Sequence, residues 1–362
     1  MAPGPLWRGV LPPTWCRDPP RLELILPTGT VTGHARPQEP RLGWFIVSRE
    51  TRSDPAARPG EKCRKYGGLT TLAATPDDSD TDPKLGRAVL SLVKQRSTQS
   101  HRDQRVIAIA NQKGGVGKTT TAVNLAAALG DFGQRVLVLD MDPQGNASSG
   151  LGVSANEQPR GIYEVITGDA TASEAILPTV APGVDLIPSG QRLIGAEVEL
   201  VPQPDRERIL GRQLEPIRER YDFLLADCPP SLGLITVNTL AAAQSVLIPI
   251  QCEYYALEGL TQLLNAIRLV QQSLNPKLEI EGIVLTMFDS RLNLSQEVAN
   301  EARKFFQGKV LDTVVPRNVR LSEAPSFGQP VIQYDHGCIG SQSYLNLAKE
   351  LLAREAVGVP HE

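Results

Sequence analysis

The chain has 362 residues, 41% of them hydrophobic and 21% charged, with a formal net charge of −3. That is long enough for one large α/β domain or two smaller ones, and no apolar run approaches the roughly 20 residues of a membrane-spanning helix. The five cysteines (Cys16, Cys63, Cys228, Cys252, Cys338) are odd in number and make no CxxC pair, and the four histidines are equally dispersed. This argues against a disulfide scaffold and leaves no readable metal-ligand cluster.

Charge is distributed unevenly along the chain. Residues 1–104 hold 16 Lys and Arg against 11 Asp and Glu, whereas residues 105–362 hold 21 against 29. The first segment also carries 13 of the 29 prolines and all three tryptophans. Proline pairs at 12–13 and 19–20 block regular structure there. Only Leu22–Leu26 and Trp44–Val47 look strand-like, and Lys84–Arg96 has the spacing of one short amphipathic helix. No apolar stretch suits a signal peptide, and five acidic residues before position 60 argue against a transit peptide. The reading is a Pro/Arg-rich extension over 1–104, either disordered or lying upstream of the true start, then a domain over 105–355 and a tail over 356–362.

From Arg105 short apolar runs alternate with helical patterns. Strands are expected at Val106–Ala110, Val136–Asp140, Val184–Pro188, Phe223–Asp227, Val246–Ile250, Ile283–Met287 and Val310–Val315. Helices are expected at Lys118–Leu129, Arg206–Arg220, Ala256–Ser273 and Ser295–Phe306. Strands separated by helices pair in parallel through right-handed crossovers. Runs apolar on both faces belong in a sheet covered on both sides. The predicted fold is α/β, a doubly wound, mostly parallel sheet with helices on both faces.

The first strand runs into Asn111-Gln112-Lys113-Gly114-Gly115-Val116-Gly117-Lys118-Thr119-Thr120. A strand, a glycine-rich turn and Lys-Thr opening a helix form the arrangement that cradles phosphates: backbone N–H groups converge on the anion and the helix N-terminus adds positive potential. Lys118 would reach the β- and γ-phosphates and the Thr119 hydroxyl would ligate Mg²⁺. The usual pattern fails at its first glycine, where Gln112 stands; a second lysine, Lys113, stands at the front of the loop instead. A glycine-rich turn with no ligand is the alternative, but packing gives two lysines no reason to flank it.

Two further strands end in carboxylates. Val136–Asp140 leads into Asp140-Met141-Asp142-Pro143-Gln144-Gly145-Asn146, where one carboxylate can orient a water for attack on a γ-phosphate. The same string is also ordinary turn chemistry. Phe223–Asp227 is an apolar strand ending in Asp before Cys228-Pro229-Pro230-Ser231, the Walker B arrangement for Mg²⁺. Cys228 reads as a small space-filling residue rather than a reactive thiol.

These strings, with Gln251–Gly259 and Pro316–Ser326, resemble the deviant Walker A ATPases of the ParA/Soj type over about residues 105–355. The resemblance implies a P-loop NTPase fold and an ATPase using ATP and Mg²⁺. The segment Lys113, Gly114, Gly115, Val116, Gly117, Lys118, Thr119, Thr120 would bind nucleotide, with Lys113 reaching the ATP of the other subunit in a homodimer. Asp142 would be needed for hydrolysis, Thr119 and Asp227 would hold the metal, and Pro316 and Asn318 would recognise adenine. The dimer would bind double-stranded DNA without sequence preference through Arg291 and Arg320, with Arg303, Lys304 and Lys309 extending the patch. A ParB-type centromere-binding protein would stimulate hydrolysis and release the dimer, segregating chromosome or plasmid copies. The location implied is the cytoplasm, on the nucleoid and not on a membrane. Gly114 should tolerate no side chain, because two subunits meet there.

Other readings share the loop. A MinD-like membrane-associated ATPase needs a basic amphipathic C-terminal helix, whereas the charges of Leu347–Glu355 balance and aromatic anchors are missing. A bacterial tyrosine kinase would carry a tyrosine cluster where only Tyr344 stands, and a nitrogenase-reductase-like protein would need cluster-ligating cysteines. A nucleotide-gated regulator of transcription or replication overlaps with the Soj type.

Overall fold

The computed structural model describes residues 105–154, 157–253 and 260–357. The predicted extension over 1–104, with its helix at Lys84–Arg96, lies outside the described residues, as does the start of the helix expected from Ala256.

The chain alternates strand and helix from the first described residue. β1 (Arg105–Ile109) leads to α1 (Lys118–Asp131), β2 (Val136–Asp140) and α2 (Asn146–Gly150). β3 (Leu177–Pro178), β4 (Val184–Ile187) and β5 (Phe223–Asp227) follow, then α3 (Leu234–Ala242) and β6 (Ser245–Gln251). α4 (Leu260–Ser273), β7 (Glu279–Phe288), α5 (Asn293–Phe305), β8 (Val310–Pro316), α6 (Val319–Glu323) and α7 (Ile339–Val357) complete it. The sheet has eight strands in the order β3-β4-β2-β5-β1-β6-β7-β8. Every pairing is parallel except β3 with β4, a two-residue strand too short to show in the sequence.

Alternation along the strands explains why both faces are covered. Val106 and Ala108 of β1 join Leu137, Leu139, Leu224 and Ala226 in one core, closed by α3, α4 and α5. Ile107 and Ile109 join Val136, Val138, Phe223 and Leu225 in the other, closed by α1 and α7. With helices on both faces, central strands are apolar on both sides, as the fully buried β2 and β5 are up to their terminal Asp140 and Asp227.

Two expectations need correcting. The helix expected at Arg206–Arg220 is broken into a 3₁₀ turn at Arg206–Arg208, an α-helix at Ile209–Leu214 and a 3₁₀ stretch at Glu215–Arg220. Pro216 sits at the second break, where its missing N–H ends the α-helical ladder. β7 begins at Glu279, earlier than expected, because the polar Glu281 is satisfied within the sheet. It pairs with Arg105 and accepts a hydrogen bond from the Ser245 hydroxyl at 2.7 Å.

Candidate nucleotide site

The carboxyl ends of β1, β2 and β5 lie side by side at the middle of the sheet, with Ile109 opposite Asp227 and Asp140 opposite Asp227. This is the edge on which open parallel sheets bind ligands. The glycine-rich loop leaves β1 and enters α1 with Gly115 and Gly117 in the left-handed region, at φ 75° and 87°, which side chains rarely adopt. Lys118, Thr119 and Thr120 open α1, so their N–H groups have no carbonyl partner within the helix. The helix dipole adds its positive end at the same place.

The loop is held from behind. The buried Asn111 amide donates to the Pro249 carbonyl of β6 at 2.8 Å, and its oxygen accepts from the Lys113 N–H at 3.0 Å. The Lys118 ammonium donates to the Lys113 carbonyl at 3.3 Å. Burial depresses the Lys118 pKa, opposed by the nearby Asp227, Cys228 and Asp142. Lys118 therefore shares one electrostatic neighbourhood with both predicted site carboxylates.

The carboxylates divide by environment. Asp140 accepts from the Ser148 N–H at 2.8 Å, the Ser148 hydroxyl at 2.7 Å and the Asp142 N–H at 3.2 Å. Burial pushes its pKa up to about 6 against those bonds. It ties the start of α2 to β2, with both of its oxygens engaged. Asp142 is 8% exposed and accepts from the Gln144 N–H at 3.0 Å. A backbone bond from Gly145 N–H to the Asp142 carbonyl closes the turn. The turn reading of the string therefore holds at the Asp142 side chain and backbone.

Asp227 is fully buried, and neither carboxylate oxygen has a hydrogen bond of normal geometry. Its pKa is raised well above the usual carboxylate range by burial and by Asp140, while the Thr119 hydroxyl and Lys118 favour the charged form. A buried carboxylate without hydrogen bonds, facing a hydroxyl, is an oxygen donor set suited to a small divalent cation. The residues present therefore fit Mg²⁺. Cys228, buried in the core, has its thiol pushed up to about 12 by burial, as a space-filling residue should.

Of the remaining predicted residues, Lys113 lies 3.7 Å from the Glu253 carboxylate, which also lies 3.8 Å from Arg317. Glu253 links the front lysine of the loop to the segment after β8, a role its bare position in the sequence did not reveal. Pro316 ends β8, and the Asn318 side chain caps α6 by accepting from Arg320 N–H at 2.9 Å. A Cβ at Gly114 would meet nothing within 4 Å, so the expected intolerance is not a property of the isolated chain.

Each predicted DNA-contacting arginine is held by carboxylates. Arg291, its side chain 86% exposed, forms a two-pronged pair with Asp289 at 2.9 and 2.7 Å. Arg320 pairs with Glu323 at 2.8 Å and Asp335 at 3.2 Å. Arg303 and Lys304 sit in the last turn of α5, which begins just after Arg291. Lys309 and Arg320 flank opposite ends of the seven-residue β8, a strand about 20 Å long. Asn111 and Thr286 were not foreseen as loop supports; only a fold that places β6 and β7 beside β1 makes them so.

Comparison with known proteins agrees with this geometry. A family profile described as an AAA domain matches residues 104–280. The sporulation initiation inhibitor protein Soj of Bacillus subtilis is 55% identical over 249 residues, which is 69% of this chain and 98% of Soj. The chromosome partitioning protein ParA of Myxococcus xanthus is 54% identical over 256 residues, covering 71% of this chain and 90% of that protein. Among solved structures, one from Mycobacterium smegmatis, described as a cobyrinic acid a,c-diamide synthase with bound ADP and magnesium, is 37% identical with a TM-score of 0.63. It covers 71% of this chain and 97% of its own.

Proposed function

This chain belongs to the ParA/Soj family of chromosome-partitioning P-loop ATPases, and from that premise we propose how its residues divide the work. The loop N–H groups and Lys118 hold the phosphates of ATP, and Thr119 and Asp227 hold Mg²⁺. The metal supplies charge that offsets what develops on the phosphoryl oxygens. Asp142 orients the attacking water, and Pro316 and Asn318 border the adenine. Lys113 leaves Glu253 to reach the nucleotide of a second subunit, so nucleotide state and dimerisation become one equilibrium.

The observation that carries this reading is Asp227. A carboxylate wholly buried without a hydrogen bond is costly, and it faces the hydroxyl that opens the phosphate-loop helix. A bound cation removes that cost.

The ATP-bound dimer binds double-stranded DNA non-specifically through Arg291 and Arg320, and a ParB-type protein stimulates hydrolysis and releases it on the nucleoid, in the cytoplasm. Nonspecific binding rests on local cations, so the acidic balance of the domain does not oppose it. The membrane-associated alternative finds little support. Leu345, Leu347, Ala348 and Leu351 of α7 are buried in the core and so are already used within the fold, and no described helix is long and apolar enough to cross a bilayer. The division of residues 1–104 as an extension, 105–355 as the ATPase and 356–362 as a tail is part of the same proposal.

Steady-state ATP turnover, with and without DNA and a ParB-type partner, tests the reading. Stimulation when both are present is the expected result; a flat rate under all four conditions would refute the partitioning cycle.

A further inference from the structure

Thr286 is 2% exposed and stands two strands from β1, near the carboxyl end of β7. Its hydroxyl donates to the carbonyl oxygen of Val116, inside the phosphate loop, at 2.8 Å. That is the one hydrogen bond found for this carbonyl among the described residues. Val116 is itself 1% exposed, so water cannot take over the role.

The backbone next to Thr286 is irregular in a way that aims this side chain. Met287 has φ 50°, a left-handed conformation unusual for a long side chain, and the β7–β8 register shifts between Leu285 and Phe288. Such strain and such bulges persist where a side chain has to be redirected. The methyl of Thr286 also lies 3.7 Å from where a Gly117 Cβ would be, so β7 contacts the loop at two consecutive residues.

We propose that Thr286 is a positioning residue for nucleotide binding: by holding the Val116 carbonyl toward β7 it turns the Gly117 N–H to the concave side of the loop, as a donor to a phosphate oxygen. The carbonyl and the N–H belong to one peptide unit, and in a trans peptide they point in opposite directions. No cis peptide occurs among the described residues. Gly117 has φ 87°, so its peptide could otherwise rotate with little steric resistance. Thr286 thus fixes beforehand a donor that the nucleotide would otherwise have to order on binding. This deepens the ATP-binding reading of the same loop and rests on it.

The test compares Thr286→Val, which keeps the shape and loses the hydroxyl, with Thr286→Ser, which keeps the hydroxyl. Binding of Mg–ATP and Mg–ADP is measured by calorimetry on the full chain, with thermal unfolding alongside. Thr286→Val should weaken both nucleotides about tenfold, the worth of one well-placed hydrogen bond, while Thr286→Ser stays within about twofold of the native protein. Native affinity in Thr286→Val, or an equal loss in Thr286→Ser, would overturn the proposal. A loop that bound no nucleotide would show instead in all three proteins, native included. Should Thr286→Val not fold, the native protein labelled with ¹⁵N-glycine decides. The Gly117 amide resonance must shift when Mg–ADP is added, and an unmoved resonance refutes the assigned direction.

Discussion

Asp140 and Asp227 stand directly opposite each other in the β2–β5 register, both fully buried, yet one accepts three hydrogen bonds and the other none of normal geometry. Two strands thus end at the same edge with the same residue type and give it opposite tasks. Asp140 holds the fold, and Asp227 is left free for the metal role proposed for it.

Removing the Asp227 carboxylate is expected to stabilise the metal-free protein. Asp227→Ala should raise the unfolding free energy by about 1–3 kcal/mol, the cost of a buried polar group left unpaired. Urea denaturation in the presence of a chelator measures this. The same variant should bind ATP with an affinity that no longer responds to Mg²⁺. A lower urea midpoint, or an intact Mg²⁺ response, contradicts the assignment of Asp227 to the metal.

Asp140 and Asp142 should separate in the opposite sense. Asp140→Ala leaves the Ser148 N–H, the Ser148 hydroxyl and the Asp142 N–H without their acceptor, a loss of about 3–5 kcal/mol. Asp142→Ala loses one bond to the Gln144 N–H, worth about 1 kcal/mol, but should lower ATP turnover about a hundredfold or more. Denaturation midpoints beside single-turnover rates check the pair. Equal stability losses would mean that Asp142, too, is a structural residue.

Gly114→Val should fold like the native protein, because a side chain there meets nothing within 4 Å in the single chain. It should nevertheless fail to dimerise with ATP. Sedimentation velocity with a slowly hydrolysed ATP analogue reads the dimer, and a native dimer fraction would dismiss Gly114 as a contact between subunits.

On the proposed DNA-binding role of Arg291, Asp289 would compete with DNA for its guanidinium. Asp289→Asn should tighten DNA binding and Arg291→Ala should weaken it, with the loss shrinking as salt rises. The sign of the pH effect follows from the Arg291 guanidinium, whose hydrogen bonds hold the Asp289 pKa down to about 2. A depressed carboxylate pKa contributes stability above its unfolded value near 4, lost as pH falls through about 2. Titration of Asp289 should therefore leave DNA affinity unchanged between pH 5 and 8. Fluorescence anisotropy over that range checks it, and an Asp289→Asn variant with weakened DNA binding would reverse the assignment.

The linear sequence by itself determined the alternation of strand and helix, the phosphate loop, and Asp140 and Asp227 at strand ends, with Asp142 just beyond. These are local signals: an apolar run, a glycine spacing, or a carboxylate closing a strand can be read within a dozen residues. The length of β7 was less legible, because Glu281 is satisfied by Arg105 of β1 and Ser245 of β6; the break at Pro216 was a local signal that the expected helix passed over. Only the tertiary structure decided which carboxylate is satisfied, since hydrogen bonding to Asp140 comes from α2 while Asp227 faces the start of α1. It likewise brought Thr286 to a carbonyl 170 positions earlier in the chain and carried Lys309 away from Arg320. Such relations arise from strand order and register, which bring distant residues into contact and separate near ones, and no spacing along the chain encodes them.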